Sequence, residues 1–170
     1  VDLSTLGWNT RVRDLWFTND KDGFLILENK FYSTKNDGST WMEVTAVNVG
    51  DLSSIKFFNE NLGFLFGGNG LIYKTNNGGT TWSQIFPGIS PGQIVGIAQS
   101  SGKLFITSKS YYSSEYARAL AVSTDEGTTW SMLNHSPGGY IYHIDFTTDN
   151  KGAVIGQEGI FKTEDNGLTW

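Results

Sequence analysis

Thr75-Asn76-Asn77-Gly78-Gly79-Thr80-Thr81-Trp82 decides the fold, because its pattern occurs four times: a hydroxyl residue, then Asn or Asp, then Gly, then Thr-Trp. The other copies are Thr34, Asn36, Gly38, Thr40, Trp41; Ser123, Asp125, Gly127, Thr129, Trp130; and Thr163, Asp165, Gly167, Thr169, Trp170. Successive tryptophans stand 41, 48 and 40 residues apart, the period of a repeated supersecondary unit. Each copy has the chemistry of a tight turn. The Asn or Asp side chain accepts hydrogen bonds from backbone N–H groups ahead of it, and the Gly takes a positive φ that a Cβ would penalise. Thr-Trp then re-enters an extended strand.

The rest of the unit repeats around this turn. Leu15 and Phe17, Ile55 and Phe57, Val95 and Ile97, Ile144 and Phe146 are apolar pairs at the strand period of two. A second apolar run follows each pair, as in Gly23-Phe24-Leu25-Ile26 or Gly152-Ala153-Val154-Ile155. A third leads into the turn, as in Leu71-Ile72-Tyr73-Lys74, and a fourth leaves it, as in Trp82-Ser83-Gln84-Ile85. Four short strands in about 40 residues, with no helical periodicity, predict an all-β chain of four-stranded propeller blades. The expected units are 13–52, 53–92, 93–140 and 141–170 of a single domain, with 1–12 as a closing strand.

The turn resembles the Asp-box, or bacterial neuraminidase repeat, and the longer pattern Gly67-Gly68-Asn69-Gly70-Leu71-Ile72-Tyr73-Lys74-Thr75-Asn76-Asn77-Gly78-Gly79-Thr80-Thr81-Trp82 is similar to photosystem II stability/assembly factor-like propellers. Two features depart from that pattern. The first two turns carry Asn instead of Asp, and there are four units where such families usually have six or more blades. The resemblance implies a propeller fold. It leaves function open, because sialidases, xyloglucan-type glycoside hydrolases, sortilin-type receptors and non-catalytic assembly factors share the repeat.

The chain stops at Trp170, the first residue of an expected fourth strand, and starts with Val1-Asp2-Leu3-Ser4-Thr5-Leu6, which has the phase of that strand. The distance from a turn Trp to the next apolar pair is 14, 13 and 14 residues, and 15 when Trp170 is wrapped onto Leu15. A four-bladed ring, an eight-bladed ring from two self-associating chains that exchange ends, and a fragment of a longer propeller all satisfy this count. Pairing of the first segment would remove an exposed sheet edge.

Composition sets further bounds. The 170 residues include 6 Trp, 7 Tyr and 11 Phe, enough aromatics to fill wedges between blades. There are no cysteines, so disulfides and thiolate metal sites are excluded. A net charge of −5 with only 12 basic residues argues against nucleic acid as the partner. No apolar run has the length of a membrane span. No cofactor or metal is expected. Abundant Asn, Gly, Ser and Thr beside few Lys fits a secreted or periplasmic repeat protein.

Residues that occur once per unit serve the unit. Asn36, Asn77, Asp125 and Asp165 are therefore read as turn residues, and Trp41, Trp82, Trp130 and Trp170 as packing anchors. Function is sought where the units differ. Two residues before each apolar pair stand Arg13, Ser53, Gln93 and Tyr142, and four before it Arg11, Asp51, Pro91 and Tyr140. These residues are expected to ring one mouth of the central channel, near Trp8, Asn9, His135 and His143. Arg with Tyr suits a peptide or an anionic group. The longer third unit adds a Tyr-rich stretch, Ser108 to Arg118, with Tyr112 and Arg118 as candidate contacts.

Sialidase chemistry needs three arginines around one substrate carboxylate. The three here are Arg11 and Arg13 on one strand and Arg118 in the insertion. Asp14, Asp51 and Asp145 are the carboxylates that a facing-pair glycosidase would draw on, but the sequence singles out no pair. The reading is a non-catalytic binding or assembly propeller that takes a protein or glycan ligand. The alternative is a glycoside hydrolase, sialidase-like or xyloglucanase-like, or a fragment of one.

Overall fold

The computed structural model describes residues 10–88, 92–109, 118–133, 140–147 and 149–170. Their regular structure is antiparallel β-sheet, apart from a short 3-10 turn at Gly68–Gly70. The first sheet holds β1 (Val12–Phe17), β2 (Gly23–Leu27), β3 (Lys30–Thr34) and β4 (Met42–Glu43), paired in chain order. The second holds β5 (Leu52–Phe57), β6 (Gly63–Gly67), β7 (Ile72–Thr75) and β8 (Ser83–Ile85). The third runs through β9 (Gln93–Ser100), β10 (Lys103–Lys109), β11 (Arg118–Ser123) and β12 (Ser131–Met132). In the fourth the described strands are β13 (Ile141–Phe146), β14 (Gly152–Gly156) and β15 (Gly159–Thr163). Expectations for Val1 to Leu6 fall outside the described residues.

The chain divides into two compact units. One runs to Gly67 and takes in Ile72–Gln84; the other comprises Gly68–Leu71 and everything from Ile85 onward. In the first unit, alternation along β2 and β3 puts Phe24 and Phe31 on the face of the first sheet that meets the second. Their rings surround Trp82, which lies edge-on to Phe24, Phe31 and Phe57 at 5.9, 5.6 and 5.9 Å, while Phe24 stacks on Phe57 at 5.2 Å. Edge-to-face and offset contacts at these distances are the favoured aromatic geometries. The second unit has its own core of Ala98, Phe105, Leu120, Ile141, Ile144 and Val154. There Phe105 stacks on Phe146 at 4.6 Å, and Phe146 meets Trp170 edge-on at 6.0 Å.

Every first strand carries a bulge against the second. The register skips Arg13 between Val12 and Asp14, Ser53 between Leu52 and Ser54, Val95 between Ile94 and Gly96, and Tyr142 between Ile141 and His143. A bulge leaves one residue outside the ladder and re-aims its side chain. In the third sheet the equivalent of Arg13 is thus Val95, two residues later than the sequence phase that put Gln93 there. With Ile94, Val95 and Ile97 all apolar, the run fits two phases, and pairing of Ile106 with Ile97 selects the later one.

Candidate functional site

The four turns are built alike. The Thr34 hydroxyl donates to Asn36 Oδ1 at 3.0 Å and accepts from the amides of Asn36 and Gly38. Asn36 Oδ1 in turn accepts from the Thr40 amide at 3.0 Å. Thr75, Asn77, Gly79 and Thr81 repeat this set, as do Ser123, Asp125, Gly127 and Thr129, and Thr163, Asp165, Gly167 and Thr169. The four glycines share φ between +79° and +87°. The Asn and Asp turns differ in their contact with the second Thr hydroxyl. Asn36 and Asn77 donate Nδ2 to a Thr hydroxyl at 3.0 and 2.9 Å, whereas Asp125 and Asp165 accept from it at 2.6 and 2.5 Å.

Hydrogen bonds from the Thr129 hydroxyl, the Thr129 amide and the Ser123 hydroxyl lower Asp125 from its ordinary 3.8 to about 2, and Thr169 and Thr163 do the same to Asp165. Carboxylates held ionised in this way cannot serve as general acids near neutrality. A depressed folded-state pKa gives stability that is present above the ordinary value and lost as pH falls through the folded one. Thermal melts are therefore expected to drop between about pH 4 and pH 2, and Asp125→Asn with Asp165→Asn should flatten that limb by giving these turns the first unit's chemistry. What remains is expected from Asp22, where burial raises the pKa but hydrogen bonds from Lys35 and Asn19 outweigh it and lower it. An unchanged limb would contradict the assignment.

The bulged residues are where the sheets differ. In the first unit Arg13 reaches the second sheet: Nη1 donates to the carbonyls of Leu52 at 2.6 Å and Gly50 at 3.3 Å, and Nη2 donates to Asn29 Oδ1 at 3.2 Å. Its guanidinium is therefore a strap between the bulge of β1 and the start of β5, and it offers a ligand little of its hydrogen-bonding capacity. Arg11 is exposed, with its backbone tied to Glu28 through Oε1 at 2.7 Å and through the Glu28 amide at 2.9 Å. Asp14 bridges two backbone amides, Leu15 at 2.8 Å and Ile55 at 2.7 Å, so its carboxylate also closes sheet against sheet. Beside these residues lies a cleft of about 480 Å³, lined by Asn29, Lys30, Glu43, Asn48 and Asp51 among others. Lys30 pairs with Glu43 at 2.8 Å at its rim.

In the second unit, Tyr142 is 47% exposed and Lys109 Nζ lies 5.7 Å from its ring centre, within cation–π range. Tyr140 is half-buried, and its carbonyl accepts from the Gln157 amide at 2.8 Å. Asp145 Oδ1 accepts from the Phe146 amide at 2.9 Å. Arg11 and Arg13 thus belong to the first unit, and Tyr140 and Tyr142 to the second. Trp8, Asn9, Pro91, Tyr112 and His135 lie outside the described residues, and Arg118 is described only as the first backbone position of β11. Lys109 lies in the Ser108 to Arg118 stretch but was not singled out within it; it pairs with Gln93 across β9 and β10, and only the fold brings it to Tyr142. Among the described residues no cluster of three or more His, Cys, Asp or Glu could hold a metal, and no helix is long and apolar enough to cross a membrane.

Repeated antiparallel sheets, each carrying the same turn after its third strand, make this chain a β-propeller repeat protein. Residues 2–115 match the family described as photosynthesis system II assembly factor YCF48, and the chain belongs to that family. Photosystem II stability/assembly factor HCF136, chloroplastic, from Guillardia theta is 35% identical over 77 residues, 44% of this chain and 19% of that protein. The structure of YCF48 bound to D1 peptide aligns with a TM-score of 0.56 at 22% identity, covering 71% of this chain and 40% of the other. A GH74 enzyme from Niastella koreensis aligns with a TM-score of 0.74 at 17% identity, covering 92% and 30%. At these identities the structural likeness shows the fold alone. The chain spans well under half the length of the HCF136 and YCF48 chains it matches.

Proposed function

We propose that this chain is a non-catalytic assembly module that recognises an extended segment of a partner protein. The observation that carries this reading is membership of the YCF48 family, in which a solved relative is bound to D1 peptide. The side chains agree with it. The most regular carboxylates, Asp125 and Asp165, are held in turns, Asp14 is held on two backbone amides, and Arg13 straps two sheets together. Exposed Arg11 in the first unit and Tyr142 with Lys109 in the second remain as contacts. Arginine offers a fork of donors to a carboxylate or to backbone carbonyls, and tyrosine offers rigid apolar area with a polar tip.

Overlapping peptides that span D1, titrated against the chain by fluorescence anisotropy, test the reading. At least one peptide should bind saturably. Tyr142→Ala and Arg11→Ala should each weaken it about tenfold or more, the range of a side chain worth at least 1.4 kcal/mol, with melting temperatures unchanged. Failure of every peptide to bind overturns the proposal, and turnover of xyloglucan by the same preparation would favour a glycoside hydrolase.

A further inference from the structure

Three Asn-Gly steps occur in the chain: Asn69-Gly70, Asn77-Gly78 and Asn166-Gly167. This dipeptide is prone to deamidation, because a residue without a Cβ lets its own amide nitrogen approach the preceding carboxamide. Of the three, Asn77 is the one that forms the centre of a repeat turn. Its counterpart Asn36 makes the same bonds but is followed by Asp37, whose side chain hinders that approach. Asn77 is exposed to water, which the reaction consumes. Asn166 is followed by an amide that is buried on the Thr163 hydroxyl at 2.9 Å, and Asn69 lies in the 3-10 turn, outside the repeat turns.

The closed turn grips Asn77. Its Oδ1 accepts from the Thr75 hydroxyl and the Thr81 amide, both at 2.9 Å, and its Nδ2 donates to the Thr81 hydroxyl at 2.9 Å. The Gly78 amide donates to the Asn61 carbonyl at 3.0 Å. The attacking nitrogen and the attacked carbon are thus both held, and reaction waits for the turn to open. In the open turn the Gly78 nitrogen loses its proton and bonds to Asn77 Cγ, and the side-chain nitrogen leaves as ammonia. Water then opens the cyclic imide. Breaking the bond from the Gly78 nitrogen to Cγ gives aspartate with the original main chain. Breaking its bond to the Asn77 carbonyl carbon gives isoaspartate, with the main chain rerouted through the side chain.

The third turn shows which product the second can take back, because the two match bond for bond. Ser123 and Thr75 donate their hydroxyls to the central side chain at 2.8 and 2.9 Å, and the Thr129 and Thr81 amides donate to it at 2.8 and 2.9 Å. The Thr128 and Thr80 hydroxyls each donate to the central residue's carbonyl at 2.9 Å. The central residue of the third turn is Asp125, which accepts from the Thr129 hydroxyl where Asn77 donates to that of Thr81. Rotation of one hydroxyl therefore fits aspartate into the second turn. Isoaspartate lengthens the main chain by one carbon and leaves its carboxylate on Cα, out of register with the Thr81 amide. We propose that Asn77 is a deamidation site whose two products the turn sorts: the aspartate form recloses as a native repeat turn with one more negative charge, and the isoaspartate form does not.

Ageing the folded 170-residue chain at mildly alkaline pH, then separating it by ion exchange and mapping peptides with fragmentation that tells aspartate from isoaspartate, tests this. Asn77 should convert while Asn36 stays an amide, sub-denaturing urea should speed the conversion, and Asp37→Gly should make Asn36 convert as well. The aspartate fraction and Asn77→Asp should each melt within about 2 °C of wild type. The isoaspartate fraction and Asn77→Ala, which lose the acceptor for the Thr81 amide, should melt lower by about 4 °C or more. Four results would each overturn the proposal: Asn77 persisting as the amide, Asn36 converting as fast in the unsubstituted chain, an aspartate form melting as low as the alanine variant, or an isoaspartate form melting with wild type.

Discussion

Trp82→Ala should cost about 3–5 kcal/mol, the range for deleting a large buried aromatic. The indole is buried and packs edge-on against Phe24, Phe31 and Phe57, so its loss opens a cavity among rings that two sheets hold in place. A domain of ordinary stability, about 5–15 kcal/mol, would be left with a fraction of it. Urea titration at pH 7 measures the change. Trp82→Phe should lose less, because it keeps a ring in the site and removes an indole N–H that has no hydrogen-bond partner. A loss below about 1 kcal/mol in the alanine variant would mean that the wedge repacks and that Trp82 is no anchor.

Gly79→Ala should be nearly as damaging, at about 3–5 kcal/mol, for two separable reasons. Its φ of +80° disfavours any L side chain, and the new methyl would lie 2.2 Å from Cζ of Phe24. That ring cannot yield, since it is buried and stacked on Phe31 and Phe57. Gly102→Ala is the control. Its φ is +76° with nothing within 4 Å of the new methyl, so only the backbone penalty of about 1–2 kcal/mol applies. The difference between the two melts isolates packing, and equal losses would refute the steric argument.

What could be read in advance follows from how far each interaction reaches along the chain. A turn whose side-chain hydrogen bonds join Ser123, Asp125, Gly127 and Thr129 carries that geometry in seven consecutive residues, so the repeat, its hairpins and the propeller class were legible. Alternation likewise marked the apolar pairs of each first strand, such as Leu15 with Phe17 and Ile55 with Phe57. Arg13 is the contrary case. Its partners Gly50 and Leu52 lie 37 and 39 residues away, and a bulge turns its side chain toward them; neither is encoded near position 13. The third unit lost its phase for a related reason, because a bulge inside an unbroken apolar run leaves no mark in hydropathy. Of the candidate contacts, Tyr142 and Arg11 could be picked out as positions where the units differ, but the pairing of Lys109 with Tyr142 required the fold.

The contrast between self-contained turns and distant straps also orders events in time. Hairpins that close over a few residues form in microseconds, and the turn's side-chain hydrogen bonds lie within four residues, while the bond from the Asp37 amide to the Lys21 carbonyl stays within the same sheet's loops. The bond between Asp14 and the Ile55 amide spans 41 residues, and the wedge around Trp82 reaches back to Phe24, further still along the chain, so both must wait until two complete sheets have met. Each repeat is thus a prefabricated part, and the slow step is the docking of one part on the next. Substitutions in the wedge should accordingly act on unfolding rates more than on the rate at which the hairpins first appear.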